Sequence, residues 1–287
     1  MNTWIIGARP RTLPAAIVPV ALGAAAAVGI GTVTWWRIAA CLIVSVALQI
    51  GVNYANDYSD GVRGTDDVRV GPERLVASGL ASPAAVKRAA FASFGVAAVA
   101  GLAIALDTSL ILLVVGAAAI AAGWFYTGGP KPYGYLGLGE VFVFVFFGLV
   151  ATAGSTYAAV GKITALSVVA GCVAGSLACA LLVINNLRDI PTDRDVGKRT
   201  LAVRLGDSGT RLLYVLLVGG AFVLIGLCAV WRPFTLLGLL AAPLAVSPIR
   251  KVLSGASGSA LIPVLGGTGN LQLAVGFATT IGLALGG

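Results

Sequence analysis

Long apolar runs separated by short polar connections dominate the chain. A membrane-crossing helix needs about 20 mostly apolar residues. Nine runs qualify, roughly 13–31, 37–55, 84–106, 109–127, 137–160, 164–187, 211–230, 233–249 and 262–285. The connections at 32–36, 107–108, 161–163 and 231–232 are very short, whereas 56–83, 128–136, 188–210 and 250–261 are longer and more polar. This alternation predicts an all-α integral membrane protein of nine transmembrane helices, bundled around a central cavity that opens on the side of the longer loops.

Composition agrees. Charged residues make up 10% of the chain, against about 25% in an ordinary soluble domain. Charge placement gives an orientation. Of the 19 Lys and Arg, all but Arg37, Lys162 and Arg232 fall in the N-terminal tail or in the longer loops and their edges. Basic residues mark the cytoplasmic side, so the N-terminus and long loops are expected inside and the C-terminus outside. The chain is expected in the plasma membrane, and the opening sequence, with Arg9 and Arg11, does not read as a cleavable signal. Trp35, Trp36 and Trp231 fall at outer span ends, as interfacial anchors do. The basic residues form short clusters between spans, which excludes nucleic acid and favours membrane lipid and an anionic substrate. Cys41, Cys172, Cys179 and Cys228 lie inside apolar runs without metal-ligand spacing. The chain has no histidine, which removes the commonest general base.

One polar stretch stands apart. Asp57, Asp60, Asp66 and Asp67 put four carboxylates into eleven residues where the second apolar run ends. On helical spacing Asn53, Asn56/Asp57 and Asp60 share a face. A weak repeat follows 132 residues later, from Asp57 to Asp189. Asn185, Arg188, Asp189 and Asp193 end the sixth run as the first set ends the second. Pro191 predicts a bend or an end to that helix. The halves of the repeat are roughly 13–127 and 137–249, with a last helix over 262–285, all within one membrane domain. Halves facing each other would bring the acidic ends together. Paired carboxylates need cations between them. Magnesium takes one or two carboxylates and completes its shell with water and phosphate oxygens. Arg63, Arg69, Lys131, Arg188, Lys198 and Arg199 fall in the same loops, and guanidinium suits phosphate. The combination points to a diphosphate whose other end is lipid. The loop Tyr126-Thr-Gly-Gly-Pro-Lys131-Pro-Tyr133-Gly-Tyr135 is tolerable at membrane depth only where it lines protein or a cavity. Its tyrosines read equally as interfacial aromatics. The glycine-containing loop 61–83 is a candidate lid.

These residues resemble the UbiA-type intramembrane prenyltransferases, through Asn56-Asp57-x-x-Asp60 and Asp189-x-x-x-Asp193, and the similarity covers nearly the whole chain. Within that family the naphthoate-prenylating branch is the most similar. It is marked by Arg9-Pro-Arg-Thr-Leu-Pro14, Tyr126-Thr-Gly-Gly-Pro130, Tyr133-Gly-Tyr-Leu-Gly137, Asn185-Asn-x-x-Asp189, Gly197-Lys-Arg-Thr-Leu201 and Arg204-Leu-Gly206. The superfamily pattern has an acid where this chain has Gly64, so Asp66 or Asp67 must supply that ligand. The resemblance implies that Asp57, Asp60, Asp66, Asp189 and Asp193 hold two magnesium ions on a polyprenyl diphosphate. It further implies that Asn53, Asn56 and Asn185 orient water or phosphate. Arg63, Lys131, Arg188, Lys198 and Arg199 would neutralise the leaving diphosphate, with Tyr126 beside the substrate. The acceptor implied is 1,4-dihydroxy-2-naphthoate. Its carboxyl would leave as carbon dioxide, so no ring proton need be removed.

The runner-up is a relative acting on 4-hydroxybenzoate or on a chlorophyll- or haem-type acceptor. An ion-coupled transporter also uses repeats and intramembrane acids, but places them near the midplane, and a non-enzymatic scaffold has no need of paired acidic motifs. The sequence is compatible with a homo-oligomer.

Overall fold

The structure, a computed structural model, describes residues 2–65 and 73–287. Helices make up the secondary structure of the described residues. In chain order they are α1 (Thr3–Ala8), α2 (Pro14–Ala27), α3 (Trp35–Arg63), α4 (Pro83–Asp107), α5 (Ile111–Phe125), α6 (Gly139–Val143), α7 (Ala151–Val160), α8 (Ala165–Asp195), α9 (Leu201–Cys228), α10 (Pro243–Leu253) and α11 (Ile262–Leu285). A π-helical segment, Phe144–Val150, joins α6 to α7 into one span. Short 3-10 turns cover Pro10–Thr12, Tyr133–Leu136, Pro233–Ala241 and Gly258–Leu261.

Among the described residues six helices are long and apolar enough to cross a membrane, and two bent pairs add up to two more. The six match the expected runs 37–55, 84–106, 137–160, 164–187, 211–230 and 262–285. The run 13–31 is one arm of a pair bent by 50°, and 233–249 straddles a pair bent by 48°. Pro14 and Pro243 open the second arm of each, where a residue without an N–H interrupts the ladder. The run 109–127 contains only the shorter α5.

The surface is that of an integral membrane protein. Val99, Leu106, Val223, Leu240 and Phe277 are among the most exposed residues, an arrangement water would penalise and lipid does not. Trp35, Trp36 and Trp231 are exposed as the anchor reading expects. At their end of the bundle Arg37 pairs with Asp107 at 2.7 Å. Arg232 donates to the carbonyls of Ala25, Val28 and Leu283, satisfying the last turns of α2 and α11 with one side chain.

Inside, small residues let backbones approach, as expected where lipid offers no hydrophobic drive between helices. Gly148 meets Gly171 and Gly175 of α8 so closely that a Cβ on it would lie 2.6 Å from the Gly175 Cα. The extra residue per turn of the π segment turns Phe146, Phe147 and Val150 towards the bundle interior. Along the bundle, α3 packs on α4 and α8 on α9, so each long acidic helix has a partner running back beside it. Two helices run beyond the apolar runs that predicted them. α3 continues to Arg63 and α8 to Asp195, carrying the acids on continuous helix. Of the bend or end expected at Pro191, the end is therefore corrected. Pro191 lies one turn from the C-terminus, is exposed, and costs only one ladder bond there.

The glycine crossing gives a stability prediction. Gly148→Ala should destabilise the detergent-solubilised protein by about 1–3 kcal/mol. Gly95→Ala, where a Cβ meets nothing within 4 Å, should not. Thermal unfolding of the two variants checks this.

Candidate active site

Asp60 stands three turns from the midpoint of α3, at the end where α3 and α8 present their acids. Lys198, in the loop after α8, places its ammonium 3.3 Å from Asp60 Oδ1 and 4.0 Å from Asp193 Oδ1. The two acidic helix ends therefore meet across one cation. Tyr135 joins them: its hydroxyl donates to Asp60 Oδ1 at 2.5 Å, its ring lies 4.7 Å from Lys198 Nζ, and its carbonyl accepts the Arg199 N–H at 2.9 Å. Burial, and then the Asp60 carboxylate, push the Tyr135 phenol up from its ordinary value, so it stays a donor at neutral pH.

Below this mouth lies a cavity of about 880 Å³. On α3 it is lined from Asp60 down to Cys41, a run of about 28 Å at about 1.5 Å per residue. Val44, Leu48 and Val52 of α3, Leu112 and Ile120 of α5, Phe142, Phe146 and Phe147, and Leu181 and Leu182 of α8 make its walls apolar. A cluster of Ala40, Ile104 and Ala158 with Cys41, Val44 and Leu112 packs at its deep end. The shape is a polar, charged mouth over a long apolar shaft.

The structure divides the expected site residues. Asn56, Asp60, Tyr126, Asn185, Asp189, Asp193 and Lys198 line the cavity. Asn53 also lines it, but its amide is engaged. It donates to the Ala8 carbonyl and Thr12 Oγ1 and accepts from Gln49, while its carbonyl accepts from Arg9. Asn53 thus fastens the N-terminal segment to α3. Asn56 accepts from Thr127 Oγ1 at 2.8 Å.

Asp57 departs from the metal-ligand expectation. It is buried, does not line the cavity, and spends its two oxygens on the backbone N–H groups of Leu75 and Val76 at 2.8 and 3.0 Å. The adjacent position on a helix points about 100° away from Asn56, and that rotation turns Asp57 onto the returning loop. Arg63 is exposed and holds the carbonyls of Thr127 and Gly129. Arg188 is buried against Asp189, which it grips through two hydrogen bonds of 2.7 and 2.8 Å. Lys131 and Arg199 are exposed. None of these four lines the cavity, so of the expected diphosphate cations only Lys198 reaches it. Asp66, Asp67 and Arg69, with the middle of the candidate lid, lie outside the described residues.

Sequence reasoning missed Tyr135 as a site residue. The Gly- and Pro-rich loop that carries it was the signal, but an interfacial aromatic gives the same one. It also missed the cavity contacts of Asn186, Thr192 and Thr200.

The donor set suits a hard cation. Asp60, Asp189 and Asp193 with the amide oxygens of Asn56 and Asn185 are all oxygen ligands, and Lys198 already marks a place where positive charge sits between carboxylates. Among the described residues no three acids, cysteines or histidines form a ready-made metal cluster. Magnesium asks for no such cluster, being held by one or two carboxylates and completed by phosphate oxygens.

The UbiA prenyltransferase family model matches residues 16–279. The chain belongs to the UbiA prenyltransferase family. It is 51% identical to the 1,4-dihydroxy-2-naphthoate octaprenyltransferase of Mycobacterium tuberculosis, over 99% of this chain and 97% of that one. It is 36% identical to the enzyme of the same name from Escherichia coli, over 92% and 89%. A UbiA homolog from Aeropyrum pernix K1 superposes with a TM-score of 0.73 at 15% identity, covering 94% of this chain and 97% of the other. A UbiA homolog from Archaeoglobus fulgidus bound to DMAPP and Mg2+ superposes with a TM-score of 0.60 at 16% identity, over 98% and 99%. The fold is therefore the UbiA fold.

The division between Asp57 and Asp60 can be measured. Asp57→Ala removes the acceptor of one buried and one half-buried N–H group and should lower stability by about 2–4 kcal/mol. Asp60→Asn keeps its shape and leaves Lys198 beside Asp193, so it should cost less stability than Asp57→Ala while impairing function far more. Thermal unfolding and activity of both variants, read together, separate the two roles.

Proposed function

We propose that this protein transfers the prenyl group of a polyprenyl diphosphate to 1,4-dihydroxy-2-naphthoate. The acceptor's carboxyl leaves as carbon dioxide and demethylmenaquinol is formed, a step of menaquinone biosynthesis. The observation that carries the reaction class is the meeting of Asp60 and Asp193 around Lys198 at the head of a long apolar cavity. The acceptor rests on the full-length relatives that bear this activity in their names.

Asp60, Asp189 and Asp193, with Asn56 and Asn185, are the residues that would hold magnesium, two ions in this reading, with Asp66 as an expected further ligand. Magnesium, when bound, supplies positive charge against the leaving diphosphate. Lys198, poised between Asp60 and Asp193, is placed to turn its ammonium onto that diphosphate. Tyr135 holds Asp60 in one orientation and donates to it. Arg188 fixes the Asp189 carboxylate from the buried side, so Asp189 does not rotate away from the mouth. The shaft from Val52 to Cys41 takes the isoprenoid chain out of water and leaves its reactive end among the polar groups. Positive charge at the mouth favours departure of the diphosphate and growth of allylic cation character, and the electron-rich ring attacks that carbon. Loss of the ring carboxyl restores aromaticity, so no residue here has to remove a ring proton.

The nine-span reading, with the N-terminus and the acidic mouth cytoplasmic and the C-terminus outside the plasma membrane, belongs to this proposal. It is supported by the basic-residue asymmetry.

Purified enzyme given polyprenyl diphosphate and 1,4-dihydroxy-2-naphthoate should form the decarboxylated, prenylated product. EDTA should abolish turnover and added magnesium restore it. Asp60→Asn and Asp193→Asn should each lower kcat/KM by about 10²- to 10³-fold. Turnover indifferent to chelation, or to both substitutions, would sink the assignment.

A further inference from the structure

We infer that Arg11 is the seat of the aromatic acceptor's carboxylate, and so a specificity-determining residue on a wall of the cavity separate from the acidic mouth. This rests on the naphthoate reading above and adds to it the group that recognises the acid.

Four cationic side chains among the described residues line the cavity: Arg9, Arg11, Arg74 and Lys198. Three have work at the mouth or in the fold. Lys198 sits between Asp60 and Asp193. Arg74 directly precedes the turn that Asp57 pins through Leu75 and Val76. Arg9 donates to the Asn53 carbonyl. Arg11 differs: its guanidinium has no hydrogen-bond or ion-pair partner among the described residues, and it is exposed at the cavity wall.

Its backbone is nonetheless held firmly. Arg11 is the middle residue of the 3-10 turn Pro10–Thr12. Pro10 has a fixed φ. Thr12 donates its hydroxyl to the Arg9 carbonyl and accepts from Gln49 and Asn53. The turn rests against α11, where a Cβ on Gly269 would lie 3.8 Å from the Arg11 carbonyl oxygen. A fixed backbone carrying an unengaged guanidinium is preorganised for an anion, and guanidinium matches carboxylate in a two-bond fork.

Position selects between the two anions of the reaction. Thr12 contacts α3 at Gln49 and Asn53, not at Asp60. Those residues lie about 10–16 Å deeper along the helix at about 1.5 Å per residue. The diphosphate belongs with the acids, where a bound cation and Lys198 can reach it. The second anion, the carboxylate on the ring, then has a cation of its own on the α2 and α11 side. The carbon to be prenylated is the one that bears this carboxylate, so with the carboxylate held in the ring plane towards Arg11 the ring turns the face of that carbon to the mouth. The donor's reactive carbon is delivered there by the diphosphate end.

The test compares wild type with Arg11→Gln and Arg11→Lys. The expected result for Arg11→Gln is a rise of about ten- to a hundredfold in KM for 1,4-dihydroxy-2-naphthoate and in its Kd on the purified enzyme. KM for the polyprenyl diphosphate should stay within about twofold and the unfolding midpoint should not change. Arg11→Lys should recover most of the loss. Independently of any variant, wild type should bind the 2-carboxamide analogue of the acceptor at least about tenfold more weakly than the acid. A rise confined to the diphosphate KM would place the other anion at Arg11 and overturn the inference. So would unchanged constants in Arg11→Gln, or equal binding of acid and carboxamide. A wild-type enzyme that turns over another aromatic acceptor but ignores the naphthoate would instead remove the acceptor reading, and this inference with it.

Discussion

Carboxylates at the end of a membrane helix repel one another and lose water together, and this molecule is organised around the resolution of that conflict. Asp60 and Asp193 come from helices far apart in sequence and would drive those helix ends apart if left alone. Lys198 lies within reach of both, and Tyr135 donates to Asp60 while its ring faces the same ammonium. A buried cation is costly unless its partners surround it, and so are the acids. Each side thus needs the other, and the loops that carry Lys198 and Tyr135 are as much part of the core as any apolar residue. The same balance makes the mouth receptive. Acids that already tolerate a cation between them are prepared for others of higher charge.

The acids within each motif divide their work. In the first, Asp60 faces the cavity while Asp57 binds two backbone N–H groups and ties the returning loop to α3. In the second, Asp193 faces Lys198, while Asp189 lines the cavity with both its oxygens gripped from behind by Arg188. A carboxylate that must meet a ligand in one orientation gains from a neighbour that removes its rotational freedom. Arg188 is better understood as that neighbour than as a group that touches the diphosphate.

Much of the fold was legible because apolar length is a strong signal in a membrane chain. Six of the expected runs are long helices, and the acids lie at the ends of two of them. Bends were harder to read. Pro14 and Pro243 mark real breaks, whereas Pro191 sits inside a continuous helix, because the consequence of a missing N–H depends on how many turns follow it. The acidic residues were found, yet the roles of Asp57 and Asp60 were not separable. Asn56 and Asp57 are sequence neighbours, and a helical face drawn through both ignores the rotation between them. Arg63, Lys131 and Arg199 carry the right charge in the right loops and point elsewhere. Loop direction is set by hydrogen bonds such as Arg63 to the Thr127 and Gly129 carbonyls, which leave no mark in composition.

The absence of histidine can be understood from the same arrangement. A reaction that expels a diphosphate needs concentrated positive charge more than it needs a base. The cavity mouth supplies charge of both signs in fixed places, and the walls below it supply an apolar sleeve without a titratable group among Val44, Leu48, Val52, Phe146 and Phe147. An acceptor that loses its own carboxyl asks for no proton acceptor at the carbon attacked. What it does ask is that its charge be seated away from the diphosphate, since two anions crowded at one pole would raise the barrier that the cations lower. A cation on the opposite wall separates those charges and leaves only the reacting carbons free to approach.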